Sequence, residues 1–199
     1  MKTNIILSGV GGQGILTIAA VLDTAALSEK LFVKQSEVHG MSQRGGAVQC
    51  HVRISDKEIY SDLIPEGKAD LILSVEPMEL LRYMPFLSKN GWLVTDSHPF
   101  INTDNYPEKN DLFEQIKKHP YHVIINATEI AKKIGNSKVA NMVLLGAAAS
   151  IIPLSEKGLL DAIKKLFEHK SKKIISLNFE AFFEGKKIAK EMTDLAANN

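Results

Sequence analysis

Lys2–Ala26, KTNIILSGVGGQGILTIAAVLDTAA, contains a complete strand, turn and helix. Thr3–Leu7 is almost entirely β-branched or large and apolar, without the polar alternation of a half-exposed strand, which predicts a central strand of a parallel sheet covered on both faces. Gly9–Gly14 forms the turn, and a helix is expected from about Gln13 to Ser28. Gly9, Gly11 and Gly14 satisfy the G-x-G-x-x-G spacing, with Gly12 and Gln13 between them. In that motif glycines permit a tight turn, close approach of a ligand and close helix–strand packing. Amides at a helix start carry partial positive charge and suit a phosphate or carboxylate. A tight connection between strand and helix needs glycine even without a ligand, so both readings stay open. Ile15 and Leu16 occupy the places where a P-loop has lysine and serine or threonine, which argues against Walker-type nucleotide hydrolysis.

Leu31–Ser36 reads as the second strand, with Glu37 near its end, roughly where dinucleotide-binding folds place a carboxylate for ribose hydroxyls. A solvated glutamate at a strand end is the more common explanation. The polar stretch Ser36–Gly46, SEVHGMSQRGG, is expected to be a loop, and Ala47–Ser55 alternates apolar and polar residues as a strand near an edge or beside another subunit. In a parallel sheet the loops after strands one and two leave at the same carboxyl edge, so the glycine turn and His39, Gly40, Ser42, Gln43, Arg44, Gly45 and Gly46 are expected to converge. Arg44 beside two glycines suits an anion, or else is a surface arginine paired with an acid. Glu37 and His39 resemble an acid/base pair without a third group to orient them, and neither His39 nor His51 has metal-ligand spacing.

Farther along, Glu58–Tyr60 is expected to pair back as a short strand after a turn at Ser55–Lys57, and Asp70–Val75, Gly91–Thr95 and His122–Asn126 read as strands. Helices are expected from Pro77 to about Met84, near Asp111–Lys118, over Thr128–Ile134 and Val139–Ile151, from a Ser155 cap to about His169, and over Lys173–Met192. Asp96 and His98 invite a catalytic reading, but Asp96-Ser97-His98-Pro99 is also good turn chemistry, and the turn is the favoured reading. Gly146 and the alanines after it would permit close helix packing. The expectation is one α/β, Rossmann-like domain over residues 1–192, a mostly parallel sheet with helices on both faces, and a frayed tail at 193–199.

The chain has 199 residues, 45% hydrophobic and 24% charged, which suits one substantial core. A net charge of +1 and no basic run interleaved with aromatics argue against nucleic-acid binding. No apolar run reaches the roughly 20 residues of a membrane span, and no signal segment opens the chain, so no membrane association and a cytoplasmic location are expected. Cys50 is the single cysteine, which excludes an internal disulfide, a multi-cysteine zinc site and a self-contained iron–sulfur cluster. No metal site is expected.

Three segments together, GVGGQGI, SEVHGMSQRGGAVQCHVRIS and NFEAFFEGKKIA, resemble the gamma-type domain of the 2-oxoacid:ferredoxin oxidoreductases. The form EVHGMSQRGG is most similar to the small subunits of the family's indolepyruvate branch. The resemblance implies oxidative decarboxylation of an aryl 2-oxoacid, with coenzyme A taking the acyl group and ferredoxin the electrons. It implies a large partner subunit that carries thiamine diphosphate, magnesium and the iron–sulfur clusters, and a heterotetramer of two small and two large subunits. The residues that match the family motifs are Gly9, Gly11, Gly12, Gln13 and Gly14 in the first and Glu37, His39, Gly40, Arg44, Gly45 and Gly46 in the second. They are expected to face the partner's cofactors, and no catalytic residue is expected in this chain. The alternatives are a gamma subunit acting on pyruvate, oxoglutarate or branched-chain substrates, an NAD(P)- or flavin-binding oxidoreductase, and a non-enzymatic anion-binding regulatory domain.

Overall fold

In the computed structural model the described residues are 1–40, 45–101 and 105–197. The strands are β1 (Lys2–Val10), β2 (Phe32–His39), β3 (Ala47–Ser55), β4 (Ala69–Ser74), β5 (Leu87–Asp96) and β6 (His122–Ile125). They form one sheet in the order β2-β3-β1-β4-β5-β6. β1, β4, β5 and β6 are mutually parallel, whereas β3 lies antiparallel between β1 and β2. The sheet is therefore mixed, with a four-stranded parallel half and an antiparallel pair at one side. β1 is central and buried on both faces from Thr3 to Val10.

The helices are α1 (Ile15–Ser28), α2 (Pro77–Arg82), α3 (Lys109–Lys117), α4 (Ala127–Ile134), α5 (Ala140–Ala148), α6 (Glu156–Leu166) and α7 (Lys172–Ala197). The pleat sends Ile5, Leu7, Cys50, Val52, Leu71 and Val94 into one core with residues of α1 and α4–α7. Ile6, Ile72 and Leu93 go to the other face, against Leu80 of α2 and Leu112, Phe113 and Ile116 of α3. Helices thus cover both faces. Ser155 caps α6 by accepting a hydrogen bond from Gly158 N at 3.0 Å.

Several boundaries differ from the sequence reading; β5, for example, starts at Leu87 and not at Gly91. α1 starts at Ile15 because Gly14 stands in the left-handed region at φ 81°. β2 continues through His39, since Glu37, Val38 and His39 pair with Cys50, Gln49 and Val48 of β3, and tertiary pairing outweighs the loop-like composition. Glu58–Tyr60 is not a strand. Ile59 and Ile64 pin that segment over the sheet, while side chains of β3 bond its backbone around Ser61–Ile64. α7 runs through Ala197 instead of fraying after Met192.

Candidate functional site

β2 runs in the same direction as β1, because each is antiparallel to β3. Their carboxyl ends, and those of β4, β5 and β6, therefore lie along one edge. The glycine turn and the connection from β2 to β3 meet there, as the sequence motifs suggested: Gly11 N donates to Gly46 O at 2.9 Å, and Gly40 N donates to Ala47 O at 2.9 Å. Met41, Ser42, Gln43 and Arg44 lie outside the described residues.

The turn is fixed from within. Gln13 Oε1 accepts from Val10 N at 2.7 Å, and Gln13 N donates to Val10 O at 3.1 Å. Gly14 is held from the far side by Asn141 of α5, whose Nδ2 donates to Gly14 O at 3.1 Å. With those bonds made, the amides of Gly12 and Gly14 and the first two of α1, Ile15 and Leu16, make no hydrogen bond within the described chain. Such a set of unsatisfied donors at a helix start is an anion-binding arrangement.

Two crevices flank these amides. One, about 570 Å³, is bounded by Gly11, Gly12, Leu16, His39, Gly40 and Val48. His39 does not stand alone: its Nε2 lies 3.0 Å from Glu37 Oε2, and Gln35 Nε2 donates to the other oxygen of Glu37. Glu37 and His39 are thus in contact, with Gln35 on the other carboxylate oxygen of Glu37. Glu37 is not placed as in a dinucleotide fold, however, because β3 intervenes between its strand and β1. It sits two strand spacings from β1, about 10 Å.

The second crevice, about 910 Å³, lies on the other side of the same turn and shares Gly12 and Gly14 with the first. Thr17, His98, Lys132, Lys138 and Lys170 border it. Lys132 Nζ is paired with Glu129 at 2.6 Å, whereas Lys138 and Lys170 have no carboxylate partner among the described residues. The sequence reading did not bring these lysines to the site, since they come from three separate segments. Asn141, 127 residues from Gly14, was equally invisible.

Asp96 confirms turn chemistry but does more. It accepts from His98 N at 3.0 Å and, from the start of α4, from Ala127 N and Thr128 N at 3.1 Å and Thr128 Oγ1 at 2.6 Å. Burial pushes its carboxyl up, and these bonds oppose the shift. Glu76, fully buried at the end of β4, accepts from Phe100 N at 2.7 Å and from Tyr106 Oη, and so ties the segment after β5 to the same edge. Both acids are structural.

Farther along α1, Asp23 keeps Oδ1 buried without a hydrogen bond among the described residues. Burial, and then the charge of Glu37, push its carboxyl up to about 6. Burial and the same two acids push the Cys50 thiol up to about 12, so it stays protonated and unreactive. No group of three or more histidine, cysteine, aspartate or glutamate side chains among the described residues is arranged to hold a metal ion. No helix among them is long and apolar enough to cross a membrane.

Residues 4–188 match the pyruvate ferredoxin/flavodoxin oxidoreductase family. The chain belongs to it. The indolepyruvate oxidoreductase subunits IorB of Thermococcus kodakarensis and Archaeoglobus fulgidus are 39% and 38% identical, over 96% and 93% of this chain and 98% and 94% of theirs. A 2-oxoglutarate synthase subunit KorC from Methanothermobacter marburgensis is 30% identical, over 94% of this chain and all of that one. Among solved structures, the gamma subunit of a keto/oxoacid ferredoxin oxidoreductase from Geobacter sulfurreducens superposes with a TM-score of 0.72 at 26% identity, covering 95% of this chain and 99% of that one. A 2-oxoglutarate:ferredoxin oxidoreductase from Magnetococcus marinus with 2-oxoglutarate, coenzyme A and succinyl-CoA bound shares the fold at a TM-score of 0.78 and 23% identity; this chain covers 31% of that longer chain, and 96% of this chain is matched.

Proposed function

We propose that this chain is the small subunit of an indolepyruvate-type 2-oxoacid:ferredoxin oxidoreductase, working with a large subunit that carries thiamine diphosphate, magnesium and iron–sulfur clusters. The single observation that carries the reading is the near full-length likeness to subunits named IorB, stronger than the likeness to KorC. When bound in the partner, the thiamine supplies the decarboxylation chemistry and the clusters pass electrons to ferredoxin. The role of this chain is to bind and orient. The free amides of Gly12, Gly14, Ile15 and Leu16 hold an anionic group at the carboxyl edge. His39, kept in place by Glu37, closes one side, and Lys138 and Lys170 attract negative charge on the other.

Coenzyme A fits this arrangement as the co-substrate. Its phosphates meet a crevice of about 910 Å³ that has both unpaired lysines and unsatisfied amides, the donor set that recognises phosphate. Gly46 of the second family motif is tied to the same turn, its carbonyl accepting from Gly11 N. The quaternary arrangement is two small and two large subunits in the cytoplasm.

Co-expression with the large subunit, followed by a viologen-linked assay with indolepyruvate and coenzyme A, tests the reading. The expected result is a stable heteromer that reduces viologen only when both subunits and coenzyme A are present. A chain that purifies alone, binds NAD(P) or flavin and supports no such turnover would overturn it.

A further inference from the structure

Away from the carboxyl edge, the face of β3 that looks toward the segment 56–68 carries Arg53, which is 7% exposed. Its Nε donates to Asn4 Oδ1 at 3.0 Å, and its Nη1 donates to the carbonyl oxygens of Ser61 at 2.7 Å and Leu63 at 3.0 Å. All three acceptors are neutral, and no carboxylate pairs with the guanidinium among the described residues. A buried charge is ordinarily paired with an opposite one. Nη2 makes no bond among the described residues and is not sealed from solvent.

Arg53 forms the floor of a crevice of about 550 Å³ that also includes Lys2, Lys57, Glu58 and Tyr60. Asp56, on its rim, is engaged by the Met1 amine at 2.5 Å. That leaves Glu58, with Asp62 on the loop above, against Arg53, Lys2 and Lys57, an excess of one positive charge. The loop above is irregular yet tightly held: Arg53 bonds two of its carbonyls, and the His51 ring, whose pKa burial pushes down, accepts at Nδ1 from Ile64 N at 3.0 Å. Between the buried anchors Ile59 and Ile64, this fixed backbone presents Tyr60 and Leu63 outward, 86% and 55% exposed. Phe32, directly opposite Ser55 on the same face of β2, is 50% exposed. Rigid presentation of an aromatic and an aliphatic side chain around an arginine that has no carboxylate in ion-pair contact among the described residues is the composition of an interface hot spot.

We propose that the 60–63 loop and the Arg53 crevice dock the large subunit, which inserts an aspartate or glutamate carboxylate toward Nη2 of Arg53 and Lys57 and lays apolar side chains against Tyr60 and Leu63. The proposal rests on the small-subunit reading and adds a second contact surface, separate from the glycine-turn edge. Charge complementarity selects the occupant: the crevice has a surplus of cation, and its apolar rim suits a protein surface rather than a free anion.

The test measures affinity between purified small and large subunits by biolayer interferometry, for the wild type, a Tyr60→Ser/Leu63→Ser double variant and Lys57→Glu. All three altered side chains are exposed, so the thermal midpoint of each isolated variant is expected to match the wild type. The double variant is expected to bind at least tenfold more weakly, and Lys57→Glu several-fold more weakly with a reduced dependence on salt. Unchanged affinity in both variants overturns the docking proposal while leaving the subunit reading intact. Loss of self-association without loss of large-subunit binding assigns the face to a second copy of this chain and also overturns it. A wild-type chain that does not bind the large subunit sinks both readings.

Discussion

Glycine does two different jobs in this molecule, one in the turn after β1 and one where α5 crosses α7. In the crossing, Gly146 and Gly185 have ordinary helical backbone but no room: a Cβ on Gly146 would sit 1.9 Å from Phe182 O, and one on Gly185 would sit 1.9 Å from Val143 O. The contact is reciprocal and holds two helix backbones together. In the turn the position is reversed for Gly12, which has φ 101° and nothing within 4 Å of a built Cβ. There the backbone conformation requires glycine, and open space lies above it. The difference teaches that a glycine serving packing and a glycine serving a ligand separate by what surrounds them, not by their spacing in the sequence.

The largest effect is expected where packing alone is at stake. Gly146→Ala forces the two helices apart against backbone atoms that have no rotamer to yield, and overpacking of this kind costs about 3 kcal/mol or more. Chemical denaturation of the purified chain is expected to show a sharply lower midpoint, or no soluble protein; a midpoint within error of the wild type would mean that the crossing is looser than its geometry. Gly14→Ala comes next. It joins φ 81° to a Cβ 2.5 Å from Asn141 Nδ2, so a loss of about 2 kcal/mol is expected, part of it from the broken bond between Asn141 and Gly14 O. Gly12→Ala isolates the backbone requirement: about 1 kcal/mol of stability is expected to go, while turnover of the reconstituted complex falls more than tenfold because the methyl group fills part of the open space above the turn where the anionic group would sit. If Gly12→Ala lost stability and turnover in proportion, the turn would be a connection only.

The same contrast explains what was legible in the sequence. The unit from β1 through α1 was readable because strand burial, glycine turn and helix are all local, and the strand Ala47–Ser55 was readable from its alternation, but its expected place near an edge was wrong: β3 lies between β1 and β2, and His51, Arg53 and Ser55 of its polar face are buried as well. Gly146 was correctly read as a packing residue, because a small-residue run inside an apolar helix has few other uses. The extension of β2 to His39 was not readable: SEVHG looks like a loop until β3 supplies its ladder partners. Nor was the antiparallel insertion of β3, since a sequence that follows strand, helix, strand predicts adjacent parallel strands, and only pairing across the sheet shows otherwise. In the site, the two glycine-rich motifs were visible because each is contiguous. Lys138, Lys170 and Asn141 were not, because the topology alone brings them to the turn.

The smallest expected effect comes from a poorly satisfied acid in the middle of α1. Asp23 is raised from 3.8 to about 6, first by burial and then by Glu37, and its Oδ1 has no hydrogen bond. The folded chain therefore holds this proton more tightly than the unfolded chain does. The contribution to stability is fully present below about pH 3.8 and is lost as pH rises through about 6, so near neutrality the ionised group is a net cost. The gap between those values corresponds to at most about 3 kcal/mol. Because the side chain is partly open to solvent, screening reduces this to about 1 kcal/mol. Asp23→Asn keeps the shape and removes the ionisation. Thermal unfolding of the isolated chain is expected to give matching stabilities for variant and wild type near pH 3.5, then a variant advantage that grows between pH 4 and 6.5 and levels off above it. An advantage independent of pH would mean that a neutral amide finds a bond that the acid lacks. No advantage at any pH would mean that the unpaired oxygen is paired in solution, and that α1 is as fully satisfied as the crossing of α5 and α7.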